Sequence, residues 1–231
     1  MHKFLISLLV VCSSFSIVAY ADDVTAEYDT PEYYAELEKA YSNVDFDKFT
    51  VEYVHENLNI EALRDKFPYI AYEEYVTYGT DSALIGTGEY SGDTGEFNRK
   101  VAGALDETMT SKVLYDSDAQ TRVLSSEGRE TVTEKFDSIE KYEQALNSEF
   151  MLQKECREDE VLQDVSCQDD AVLVHTHIYF NGIDNVNCYE NRYYYISVWD
   201  GSLLAINGEN VVDGRTYEGF LITNFKYSES V

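Results

Sequence analysis

Arg192-Tyr193-Tyr194-Tyr195-Ile196-Ser197-Val198-Trp199-Asp200-Gly201-Ser202-Leu203-Leu204-Ala205-Ile206-Asn207 reads as two strands joined at Asp-Gly. That dipeptide tolerates the positive φ angles of a tight type I′ hairpin. Before the turn, Tyr194, Ile196 and Val198 alternate with Tyr193, Tyr195, Ser197 and Trp199. Both faces are partly apolar, which places this strand inside a sheet rather than at its edge. Upstream, residues 171–180 carry Val172, Val174, Thr176, Ile178 and Phe180 on one face, with Leu173, His175, His177 and Tyr179 on the other. With similar patterns at 150–156, 203–207 and 216–225, the chain is expected to end in an antiparallel meander.

Helical patterns precede it. Thr30-Pro31-Glu32 is an N-cap followed by proline at the first helical position, opening a helix to about Tyr41. Residues 45–57 place Phe46, Phe49, Tyr53 and Val54 on one face, and Asn59 caps a third helix that Pro68 stops. Residues 69–78 are aromatic and β-prone. Five glycines at 79, 86, 88, 92 and 95 then mark a loop-rich internal boundary. The spacing of Val101, Leu105 and Met109 predicts a helix over 97–110, and two more are expected over 130–136 and 138–147. The fold class expected is therefore α+β, a helical N-terminal part followed by a curved antiparallel sheet in the C-terminal half. Three segments are expected: 1–21 a leader, 22–94 a helical and loop extension, 95–231 the α+β domain.

The leader has the three parts of a secretory signal peptide. Met1-His2-Lys3 is a positive start, an apolar run follows to Val18, and Ala19-Tyr20-Ala21 is an A-x-A cleavage signature. The run is short for a membrane span and an acidic segment follows it, so an exported protein beginning at Asp22, periplasmic or secreted, is expected, with no membrane insertion after cleavage. The 231 residues hold 17 basic and 44 acidic side chains, a net charge of −27. Such a charge repels phosphate backbones and anionic bilayers, which argues against nucleic acid or lipid headgroups as direct partners. With 20 Tyr and 11 Phe the chain nonetheless has the apolar area for a core. Cys12 leaves with the leader. In an oxidising compartment Cys156, Cys167 and Cys188 suggest one bridge, and Cys156 with Cys167 closes the shortest loop.

At Gly128-Arg129-Glu130-Thr131-Val132 the order of elements resembles the SnoaL-like branch of the nuclear-transport-factor-like superfamily. Its members open a helix at such a motif, continue in long antiparallel strands, and often carry an aspartate-glycine hairpin like Asp200-Gly201-Ser202-Leu203-Leu204. The similarity spans roughly residues 95–231. It implies a cone-shaped domain, a curved sheet wrapped on helices around an apolar pocket. It implies no particular reaction, because the family's acid and histidine have no local motif here.

Three groups of residues could carry chemistry. His175 and His177 stand on one strand face about 7 Å apart, placed for a general base or two ligands of a transition metal. Asp116, Asp118, Gln120 and Glu127 fall at positions 1, 3, 5 and 12 of a calcium loop, although Thr121 stands where that loop needs glycine. No cofactor is expected beyond calcium at that loop. Tyr179, Tyr195 and Trp199 are the candidate lining of a ligand pocket in the sheet. No G-x-S-x-G elbow, cupin spacing or phosphate-binding glycine loop is present. Two functions follow. One is a secreted protein binding a small apolar molecule or a protein partner, with the sheet face a candidate homodimer surface. The other is an isomerase or cyclase in which His175 or His177 exchanges protons with a carboxylate.

Overall fold

A computed structural model of the chain describes residues 30–102, 108–150, 160–179 and 188–228. Its strands are β1 (Tyr69–Tyr78), β2 (Asp81–Ser91), β3 (Thr94–Ala102), β4 (Thr108–Asp116), β5 (Thr121–Ser126) and β6 (Val132–Lys135). They continue with β7 (Glu160–Gln168), β8 (Ala171–Tyr179), β9 (Cys188–Ser197), β10 (Leu203–Val212) and β11 (Arg215–Ser228). All eleven belong to one antiparallel sheet in the order β6-β5-β4-β3-β2-β1-β11-β10-β9-β8-β7. Each half is a meander, and the last strand pairs with the first. The helices are α1 (Pro31–Ser42), α2 (Val51–Asn57), α3 (Ile60–Lys66) and α4 (Ile139–Asn147). Thr30, Thr50, Asn59 and Ser138 cap them, each side-chain oxygen accepting a backbone N–H of the first turn.

This corrects the expected α+β division and the SnoaL-like cone. The sheet begins at Tyr69 and runs unbroken through the glycine-rich stretch, which forms β2 and the start of β3. Gly128-Arg129-Glu130-Thr131-Val132 opens no helix. Gly128 takes φ +72° in a turn closed by the Arg129 N–H on the Ser126 carbonyl, and β6 follows it. The helix expected over 97–110 is corrected too: residues 97–102 belong to β3 and 108–110 to β4, where Val101 pairs with Met109, and 103–107 lie outside the described residues. The helix over 138–147 forms as expected.

Two devices hid the sheet. Glycine stands where a cross-strand aromatic ring lies flat on the backbone. A Cβ on Gly88 would sit 2.2 Å from the Tyr72 ring, and one on Gly208 would sit 2.1 Å from the Phe220 ring. These glycines make room for rings and do not break strands. The second device is the β-bulge. At Asn224 (φ +56°) β11 gains a residue against β1, between the pairs Ala71↔Lys226 and Glu73↔Thr223. Phe220 and Ile222 face the core before it, and Phe225 and Tyr227 after it, so alternation shifts phase in mid-strand. The hairpin turns also differ from expectation. Asp200 does not adopt positive φ; Gly201 does, in a longer loop where Asp200 Oδ1 accepts the Ser202 N–H and hydroxyl. The tight turn with two positive φ angles is Asp213-Gly214, between β10 and β11.

One sheet face packs on the helices. Val54, Leu58, Ile60 and Leu63 meet Val172, Val174, Ile196, Leu203 and Ile206 in a continuous buried cluster. Tyr142, Leu146 and Phe150 continue it over Ile70, Tyr72, Tyr90, Phe97 and Tyr115. Part of the tyrosine richness is interior structure, and several of these rings find an acceptor for the hydroxyl. Tyr142 donates to the Asp93 carbonyl (2.6 Å), Tyr227 to the Leu203 carbonyl (2.8 Å) and Tyr115 to Glu149 (2.8 Å).

Burial raises the pKa of phenols on both faces of the sheet. Tyr142 and Tyr193 are pushed up to about 12, and Tyr72, Tyr90 and Tyr194 well above the ordinary value. The folded state holds protons that the unfolded chain releases near pH ~10. Their stability is therefore intact below pH ~10 and falls as pH rises toward 12 and beyond. Urea midpoints measured from pH 9 to 12 should drop progressively. The buried tyrosinate absorbance should appear together with loss of far-ultraviolet circular dichroism.

Candidate functional site

A cleft of about 650 Å³ opens between the helical N-terminal segment and the inner face of β8 and β9. Its volume lies within the range of small-molecule sites. Val172 and Ile196, both core residues, form the floor, with Val44, Phe49 and Tyr53 on the helical side. Val198, Trp199, Asp200 and Gly201, from the loop leaving β9, form one rim; Glu36, Lys39, Asp45 and Lys48 form the other. The sequence places these groups for local reasons. Thr50 starts α2 so that Phe49 turns inward just before it, and strand alternation keeps Val172 and Ile196 on the inner face.

The rim is fastened at several points. The Tyr41 hydroxyl of α1 donates to the Asp169 carbonyl in the β7–β8 turn, and burial pushes its pKa up to about 12. The Tyr33 ring lies 6.2 Å from that of Trp199, and Lys48 Nζ lies 5.0 Å from the Tyr53 ring centre. Burial alone would raise the Asp200 pKa, but the Ser202 N–H and hydroxyl and nearby Lys66 hold it below the ordinary carboxylate range. Trp199 is 47% exposed although it is a large aromatic at the mouth of an apolar cleft.

Of the three expected lining residues, Trp199 borders this cleft. Tyr179 and Tyr195 lie on the opposite, outer sheet face, together with His175 and His177. There His175 stacks on Tyr193 (4.5 Å) and His177 on Tyr189 (4.4 Å), and His175 Nε2 lies 3.2 Å from Asn191 Oδ1. Burial, then the neighbouring His175, lowers the His177 pKa from its ordinary value. Asp116, Asp118 and Gln120 sit at the β4–β5 turn, where Asp116 Oδ1 accepts the Ala119 N–H. Glu127 lies past the other end of β5, ~20 Å along the strand from Asp116, so the structure does not gather the four around one point. Cys167 and Cys188 are free thiols, and Cys156 lies outside the described residues.

Sequence reading missed one histidine. His55 Nε2 on α2 lies 2.5 Å from Oε2 of Glu160, whose side chain is fully buried at the start of β7. Oε1 of Glu160 accepts the Thr176 and Tyr194 hydroxyls, the latter at 3.1 Å. Next to it Arg192, 1% exposed, donates through Nε to Glu190 at 2.7 Å. The two partners of the first pair are separated by 105 residues, and no local signal links them.

No family model and no curated protein matches the chain. Among solved structures, a crystal structure of a LolA superfamily protein from Nitrosomonas europaea matches over 79% of this chain and 96% of its own. It does so at 9% identity with a TM-score of 0.26, a likeness too slight to carry a function across.

With three donors on its oxygens, Glu160 ties α2 to the sheet. Glu160→Gln replaces one acceptor oxygen by an amide and removes the charge facing His55. It should lower stability by about 1–3 kcal/mol, read as a lower urea midpoint with unchanged slope.

Proposed function

We propose that the protein is an exported, non-catalytic binding protein that holds a small apolar molecule in the cleft between its N-terminal helical segment and the sheet. The observation that carries this reading is the cleft itself. Its floor is aliphatic and aromatic, its volume suits a small ligand, and a half-exposed tryptophan stands at its mouth. An isomerase or cyclase working through His175 or His177 would need one of those rings in a pocket beside a carboxylate. Both instead stack on tyrosines of the outer face, and the polar partner at hand is an amide. Export rests on the leader at 1–21, which lies outside the described residues. Among the described residues, no helix is long and apolar enough to cross a membrane.

Trp199 is the only tryptophan of the chain and reports on the cleft directly. Titration with 1-anilinonaphthalene-8-sulfonate, then with a long-chain fatty acid, should give a saturable blue shift of its emission. Ala40→Phe, which fills the cleft from α1, should weaken that response at least tenfold while leaving the fold intact. A response that never saturates, or one that Ala40→Phe does not change, overturns the reading.

Export has its own test. Intact-mass measurement on material recovered outside the cytoplasm should show a chain beginning at Asp22. A product still carrying Met1, or a lipid on Cys12, contradicts it.

A further inference from the structure

On the outer face of β8 and β9, away from the cleft, His175, His177 and Asn191 stand side by side. His175 and His177 are two residues apart on β8, and their ring centres lie 5.0 Å apart with an interplanar angle of 72°. Neither ring is loose. Tyr193 lies parallel to the first and Tyr189 parallel to the second, at 14° and 25°. Asn191 stands between those tyrosines on β9, directly opposite His177. Its Oδ1 lies 3.2 Å from Nε2 of His175. The amide therefore meets one imidazole directly and stands across the ladder from the other.

We propose that His175, His177 and Asn191 form a chelate for a divalent transition-metal ion. The two imidazole nitrogens are the principal ligands, the Asn191 oxygen is a third, and water completes the shell. Imidazole donors select zinc, copper or nickel over calcium and magnesium, which prefer all-oxygen shells. The tyrosine stacks hold the rings in position before the ion arrives, which lowers the ordering cost of binding. Two carboxylates add local negative potential: Asp164 opposite His175 on β7 and Glu209 opposite Asn191 on β10. Among the described residues no three His, Cys, Asp or Glu side chains converge. The site is therefore an exchangeable surface chelate and not a closed structural one. It is independent of the cleft reading, because inward and outward residues alternate on the same strands.

The test is calorimetric titration of the full chain, its thiols alkylated, with zinc chloride. One equivalent should bind, and a large excess of magnesium at matched ionic strength should not displace it. His177→Ala should weaken binding at least tenfold, with circular dichroism confirming the fold. Asn191→Asp, which puts a carboxylate between the rings, should tighten binding several-fold, a gain that misfolding cannot imitate. Imidazole resonances of His175 and His177 should shift with zinc while those of His55 stay in place. Binding unchanged in His177→Ala, binding no tighter in Asn191→Asp, or no stoichiometric binding at all would each overturn the proposal.

Discussion

The pairing of β1 with β11 is the constraint on which the rest of the structure depends. It runs from Tyr69↔Ser228 to Tyr78↔Glu218 and joins two meanders that otherwise share no ladder. Bringing residues 140 apart into register costs about 4 kcal/mol of loop entropy beyond a constant. What offsets that cost is visible in where the helices go. The segment before β1 covers the far meander, with Phe49 and Tyr53 over β8 and β9 and His55 on Glu160 of β7. Helix α4 follows β6 and covers the near meander, its Leu146 carbonyl receiving the Tyr90 hydroxyl. Phe150 then touches Tyr72 of β1 and Phe225 of β11, across the seam itself. Neither half can complete its core without the other, so the seam and the core form together.

The interior is unusually polar for a sheet face under helices, and its charges come in answered sets. Arg99 spans Glu74 and Glu149, Tyr115 donates to Glu149, and Arg192 pairs with Glu190 under the Phe220 ring. Pairs of this kind return little net stability once desolvation is counted. They do fix which strand faces inward, because a one-residue slip would swing Arg192 or Glu160 to the outside and bury an unmatched tyrosine. In a sheet with five register shifts, that discrimination has structural work to do.

Legibility in the sequence followed locality. Capped helices were readable, because Thr30 and Asn59 satisfy donors only three residues away. The alternation of β8 was readable for the same reason. Residues 79–95 were misread because glycine is ambiguous: the physical cause of Gly88 is a ring on another strand, 16 residues back. The phase shift at Asn224 was invisible, since nothing in a linear pattern marks a bulge before the partner strand is known. The cleft is the extreme case. Trp199 could be named as a candidate, but Phe49, Tyr53 and Val44 join it only when the seam brings the N-terminal segment over β9.

The cleft and the histidine pair are both built on β8 and β9, and their separation follows from the strand period. Val172 and Ile196 point inward to the cleft, while His175, His177 and Tyr193 point outward. A strand buried on one face by core and shielded on the other by stacked rings has little freedom to tilt or slip. The tyrosines of β9 therefore serve both faces. Tyr194 anchors Glu160 inside, and its neighbours Tyr193 and Tyr189 hold the histidines outside. The aromatic run that reads in sequence as mere β-propensity is the frame on which each face keeps its own chemistry.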